Sequence, residues 1–125
     1  MSKKRILVID DEKLIVKSTC MALQLYDLDA FGALSGKEGL DEARLKRPDI
    51  ILLDIMMPNM DGWDVLKALK ADPITASIPV IIFTAREYSN GPEMARQKGA
   101  LDYVAKPFEL EDLAILIHRS LSGGE

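Results

Sequence analysis

The stretch Ile50-Ile51-Leu52-Leu53-Asp54, running directly into Ile55-Met56-Met57-Pro58-Asn59-Met60-Asp61-Gly62, decides how the rest of the chain folds. Four consecutive apolar residues describe a strand covered on both faces, because a strand with one wet face would alternate apolar and polar side chains. Asp54 ends that run. A carboxylate at the C-terminal end of a buried parallel strand lies at the edge where such sheets bind ligands, which makes Asp54 a candidate site residue.

Working outward, Ile6-Leu7-Val8-Ile9 is a second strand of the same kind, and it ends in Asp10-Asp11-Glu12. Pro79-Val80-Ile81-Ile82-Phe83 is a third, delivering Thr84 to its C-terminal end, while Asp29 to Leu34 and Leu101 to Ala105 are weaker strands. Helical patterns lie between them. Ile15, Thr19, Ala22, Leu23 and Tyr26 form the inward stripe expected of the first helix. Ser35-Gly36-Lys37-Glu38 is a capping box, in which hydroxyl and carboxylate each satisfy a helix-start amide, and the helix it opens should run to about Leu45 before Pro48 stops it. A third helix carries Gly62, Val65, Leu66 and Leu69 inward and closes at Asp72-Pro73. The fourth is expected to be short, Pro92 to Lys98, because a proline disfavours helical backbone in the residue before it. The last presents Leu110, Leu113, Ala114, Ile117 and Leu121 to the core, and residues 122–125 are expected to form a flexible tail.

Strands alternating with helices on short connections specify a parallel sheet with helices on both faces, a single doubly wound α/β domain over residues 1–125. Parallel strands all point one way. Asp10, Asp11, Asp54, Thr84 and Lys106 therefore converge on one edge of the sheet.

Composition narrows the function classes. A chain of 125 residues, 48% hydrophobic and 29% charged, is an ordinary globular domain with one substantial core. Sixteen basic against twenty acidic side chains, a net charge of −4, leave no basic footprint for nucleic acid. No apolar run approaches the roughly 20 residues that span a bilayer, and Met1-Ser2-Lys3-Lys4-Arg5 leads into too short an apolar segment for a signal peptide. Membrane insertion is not expected, and the expected compartment is the cytoplasm. Cys20 has no partner for an internal disulfide and lies in a helical pattern, as a packing residue does. His118 falls on the last helix, away from the acidic edge, and is read as a surface residue. Met56, Met57 and Met60 are read as turn packing, Trp63 as a partly buried helix residue.

Carboxylates packed together repel unless a cation relieves them. All-oxygen donors with no nearby His or Cys favour a hard ion, and a few carboxylates with room for water suit Mg²⁺ better than Ca²⁺. A carboxylate beside such an ion can attack phosphorus and become an aspartyl phosphate, with Thr84 and Lys106 supplying a hydroxyl and an ammonium at the same edge.

Taken in order, Val8-Ile9-Asp10-Asp11-Glu12, Leu53-Asp54-Ile55-Met56-Met57-Pro58 with Asp61-Gly62, Phe83-Thr84-Ala85, and Gly99-Ala100-Leu101-Asp102-Tyr103 through Lys106-Pro107-Phe108 are similar to the motifs of a known family. Over essentially its whole length the chain resembles the receiver domain of two-component response regulators, of the chemotaxis-regulator type. The resemblance implies a flavodoxin-like fold with strand order 2-1-3-4-5 and a cis Lys106-Pro107 bond. It implies that Asp54 accepts a phosphoryl group from a histidine kinase or phosphotransfer protein. It further implies Mg²⁺ held by Asp11, Asp54 and the Met56 carbonyl, with Asp10 acting through water. Lys106 would pair with the phosphoryl group, Thr84 would hydrogen-bond to it, and Tyr103 would be the switch aromatic. Such a protein is a signalling phosphoacceptor rather than an enzyme in the ordinary sense. Its downstream partner is a protein or an output domain, and the resemblance also allows a phosphorylation-dependent dimer.

Other functions fit the residues less well. A flavodoxin-like electron carrier would cradle a flavin phosphate in its first loop, where Asp10-Asp11 would repel it. A haloacid-dehalogenase-type aspartyl-phosphate hydrolase would want an acid two residues after its nucleophile, and position 56 is Met. A receiver-like binding module used without phosphorylation has no need of all five polar residues at the edge.

Overall fold

All three continuous apolar runs form strands in a computed structural model, which describes residues 3–57, 61–84, 91–105 and 109–122. The elements are β1 (Lys4–Ile9), α1 (Lys13–Gln24), β2 (Leu28–Ala33), α2 (Gly36–Lys46), β3 (Ile50–Leu53), α3 (Gly62–Ala71), β4 (Val80–Thr84), α4 (Gly91–Gln97), β5 (Asp102–Ala105) and α5 (Leu110–Leu121). The strands make one parallel sheet in the order β2-β1-β3-β4-β5. This is the doubly wound, flavodoxin-like arrangement expected of the sequence.

The absence of alternation in the central strands has its predicted cause. Leu7, Ile9, Ile51, Leu53, Val80 and Ile82 pack on one face of the sheet with side chains of α2, α3 and α4. Ile6, Val8, Ile50, Leu52, Ile81 and Phe83 pack on the other with α1 and α5. Every residue of β3 is fully buried, and burying each such side chain contributes about 1.5–3 kcal/mol before the entropy cost of ordering it.

The capping box at α2 forms, in altered detail. The Glu38 amide donates to Ser35 Oγ at 3.1 Å, while Glu38 Oε1 accepts from the Leu34 amide at 2.8 Å rather than from the cap residue itself. The helix runs one residue beyond Leu45, which is exposed, and ends through Arg47 in the left-handed region at φ 46°. On helix α1, Thr19 and Leu23 are buried as expected, Val16 is buried beside them, and Ile15 and Ala22 are half-buried at the flank. Tyr26 lies beyond the helix end in a turn that Asp27 completes at φ 67°, and it is exposed. On α5, Leu113, Ala114 and Ile117 are buried, with Leu110 and Leu121 partly so. Edge strand β2 carries the half-buried Phe31, whose ring is covered by Arg5 Cζ at 5.2 Å and Lys46 Nζ at 4.9 Å. Residues 123–125, most of the expected tail, lie outside the described residues, among which no helix is long and apolar enough to cross a membrane.

Cys20 is half-buried against the core beneath α1 and α5, and burial pushes its thiol from 9.0 up to about 11. The raised value means that Cys20 contributes stability below about pH 9 that is lost as the pH climbs toward 11. At pH 8 the folded protein should react with iodoacetamide at least about tenfold more slowly than the urea-unfolded chain, because the thiolate is the nucleophile. Equal rates would show the thiol to be as acidic as in water.

Candidate functional site

The acidic edge follows from strand register. Ile9 pairs with Leu53, so the residues that leave these two strands, Asp10 and Asp54, emerge side by side. The Asp54 amide continues the ladder by donating to the Ile9 carbonyl at 2.9 Å, and the Asp10 amide donates to Ala33 at 3.2 Å. Both side chains are buried, and each is oriented by its own loop: Asp10 Oδ1 accepts from the Glu12 amide at 3.1 Å and Asp54 Oδ1 from the Met56 amide at 2.9 Å. Asp11, exposed, completes a group in which one carboxylate oxygen from each residue lies within 4.8 Å of the others.

Three carboxylates this close carry a repulsion that a cation of small radius would relieve. The donor set is oxygen only, which fits Mg²⁺ and not a thiolate- or imidazole-seeking metal. Among the described residues no other His, Cys, Asp and Glu side chains gather in this way.

Thr84 is fully buried at the end of β4 and pairs with Ala105, while Ile82 pairs with Tyr103. Alternation along β4 puts Thr84 on the same face as Ile82, and Tyr103 packs on that face too, half-buried against the α2, α3 and α4 layer. Thr84 and Tyr103 are therefore diagonal neighbours on one side of the sheet. Lys106, the expected cis Lys106-Pro107 bond, Met60, and the Ala85 of the Phe83-Thr84-Ala85 motif lie outside the described residues.

The remaining expectations divide. Met57, expected to pack the turn, is buried in the core cluster, and Met56 is 48% exposed, so its side chain does not pack the turn. Trp63 is half-buried on α3. His118 sits near the end of α5 with Nε2 2.7 Å from the Tyr26 carbonyl, tying α5 to the turn after α1 rather than facing the carboxylates. One close approach had a legible signal, the Asp61-Gly62 pair, without a legible purpose. Gly62 is the first residue of α3, capped by Asp61, whose Oδ1 accepts from the Trp63 amide at 2.8 Å. A Cβ on Gly62 would meet the Ile55 backbone and stand 2.7 Å from the Asp54 carbonyl oxygen. The glycine lets α3 rest against the loop that carries Asp54.

A family model for the response regulator receiver domain matches residues 6–118. The chain belongs to this family. It is 33% identical over 119 residues to protein PilH of Pseudomonas aeruginosa, covering 95% of this chain and 98% of that protein. It is 39% identical over 115 residues to the heme response regulator HssR of Staphylococcus aureus and 32% identical over 123 residues to the DNA-binding response regulator MtrA of Mycolicibacterium smegmatis, covering 92% and 98% of this chain. It spans about half of those two relatives, 50% and 53%. Among solved structures, a CheY-like receiver domain protein from Methanospirillum hungatei superposes with a TM-score of 0.89 at 27% identity, covering 98% of this chain and 97% of that one. The receiver domain of Francisella response regulator 1452 gives 0.89 at 29% identity, covering 98% and 100%. The receiver family is a signalling module, and this chain has its fold.

Gly62→Ala should lower stability by about 1–3 kcal/mol, the usual cost of forcing extra volume into a packed contact, as read from the urea midpoint. Unchanged stability would show that the Asp54 loop yields without cost.

Proposed function

We propose that this receiver domain is phosphorylated on Asp54 by a histidine kinase or phosphotransfer protein in a Mg²⁺-dependent reaction, and that the phosphoryl group reshapes the surface formed by α4, β5 and α5. The observation that carries this reading is the gathering of Asp10, Asp11 and Asp54 at the ends of two paired strands, with Thr84 at the end of the next.

Asp11 and Asp54, with the Met56 carbonyl, would hold Mg²⁺ directly in this reading, and Asp10 would act through water. The bound ion would offset the charge on the transferring phosphoryl group. An Asp54 oxygen attacks phosphorus in line as the bond to the donor nitrogen breaks, and Lys106 pairs with the phosphoryl oxygens. The Met56 amide already orients the Asp54 carboxylate, which reduces the entropy lost on reaching the attacking geometry. Phosphorylation adds roughly one negative charge and further acceptor oxygens, so the Thr84 hydroxyl gains a partner that exists only in the modified state. Its movement changes the space available to Tyr103, its diagonal neighbour, and the ring turns inward.

Acetyl phosphate with Mg²⁺ should add one phosphoryl group to the protein, read by intact mass, and Asp54→Asn should abolish the addition. Labelling of the variant at the parent level would move the phosphoacceptor elsewhere. Asp11→Ala should weaken Mg²⁺ binding by at least about tenfold, the expected loss for one of few charged ligands, followed by Trp63 fluorescence one turn beyond the acidic loop. An unchanged titration would remove Asp11 from the ligand set.

A further inference from the structure

Helix α4 is the shortest of the five, and among its residues Gly91 and Ala95 are the buried ones. Aromatic rings meet it at both ends. At its start, a Cβ on Gly91 would lie 2.8 Å from Cε1 and Cζ of Tyr103, so the ring rests on bare helix backbone. Just past its end, Lys98 places Nζ 5.6 Å from the centre of the Trp63 ring. The Lys98 amide donates to the carbonyls of Met94 and Ala95 at 3.1 and 3.2 Å, which ties this lysine to the last turn of α4.

Trp63 immediately follows Gly62, whose bare Cα leans on the Asp54 carbonyl and the Ile55 backbone, and the Gly62 amide donates to the Ile55 carbonyl at 3.1 Å. Contacts thus run from the Asp54 loop, through the first turn of α3, to the C-terminal end of α4. This path does not pass through Thr84 and Tyr103.

We propose that Lys98 and Trp63 form a latch that holds α4 against α3 in the resting arrangement and sets how much occupancy of Asp54 is needed to switch the α4 surface. The proposal rests on Asp54 being the phosphoacceptor. A contact made in one of two arrangements biases the equilibrium toward that arrangement by its own free energy. A cation over an indole at a partly exposed site shifts an equilibrium by about two- to fivefold. Coupling is reciprocal, so losing the latch raises the affinity of the site for a phosphoryl mimic by the same factor. Lys98 is exposed, and its replacement leaves the core intact.

The test is a beryllofluoride titration at fixed saturating Mg²⁺, followed by the chemical shift of the Tyr103 ring, for the parent, Lys98→Ala, Lys98→Arg and Asp54→Asn. Lys98→Ala should lower the half-saturating concentration about two- to fivefold, the range of an exposed cation–π contact, and Lys98→Arg, which keeps a cation over the ring, should match the parent. Without beryllofluoride, the amides from Met94 to Lys98 should exchange hydrogen faster in Lys98→Ala than in the other three proteins. A parent that responds, with Asp54→Asn silent and Lys98→Ala titrating as the parent does, would overturn the latch and leave the phosphoacceptor reading standing. A parent whose Tyr103 ring gives no response would overturn the latch, and intact-mass labelling by acetyl phosphate, abolished in Asp54→Asn, decides the phosphoacceptor reading separately.

Discussion

The pairing of β1 with β3 is the constraint on which the rest of the molecule depends. Two strands buried on both faces must leave the core at the same level, and whatever residues follow them are forced together. Here those residues are acidic. Backbone hydrogen bonds in the interior, Asp54 to Ile9 and Asp10 to Ala33, thus hold like charges at a separation that water alone would oppose. The folding energy of the apolar sheet offsets that repulsion, and a compact cluster of oxygen donors is the result. Stability and function meet in this pairing, because loosening it would relieve the charges and lose the site at once.

Much of this was legible in the sequence because it depends on short-range pattern. Uninterrupted apolar runs ending in Asp10 and Asp54 announced both the parallel sheet and its acidic edge, and the β-strand limits differ from expectation by only a residue or two. Helix α1 shows where pattern fails. Ile15 and Val16 are adjacent and equally apolar, so periodicity alone did not choose between them, and the sheet did: Val16 Cγ1 occupies the space above Gly32, where a Cβ has no room. The end of α1 was misjudged for a related reason, since Leu25 and Tyr26 continue the helical rhythm in sequence while the chain has already turned toward β2. The exposure of Met56 was equally out of reach, because how a turn presents its side chains depends on what packs beneath it.

Close packing contacts between distant parts of the chain were not legible. Gly62 reads in sequence as the glycine of a turn, and Gly91 as a helix-weakening residue before a proline. In three dimensions each is the place where a backbone must come close to something, the Asp54 loop in one case and the Tyr103 ring in the other. Lys70 is similar. Its Nζ crosses from α3 to the carbonyls of Ala76 and Ile78 at 3.1 and 3.0 Å, and partial burial lowers its pKa, yet in sequence it is one more lysine of an amphipathic helix.

The two cations laid across Phe31 bear on a different question, how the protein keeps to itself. Strand β2 closes one side of the sheet, and an outer strand offers a row of backbone donors and acceptors to any other chain. Arg5 and Lys46 sit on the ring of Phe31, in the middle of that strand, and the Arg5 guanidinium also donates to the Lys46 carbonyl at 2.9 Å. An identical edge approaching this one would bring a second pair of positive charges near the first. Positive charge beside an outer strand is one of the features that disfavour edge-to-edge pairing of sheets.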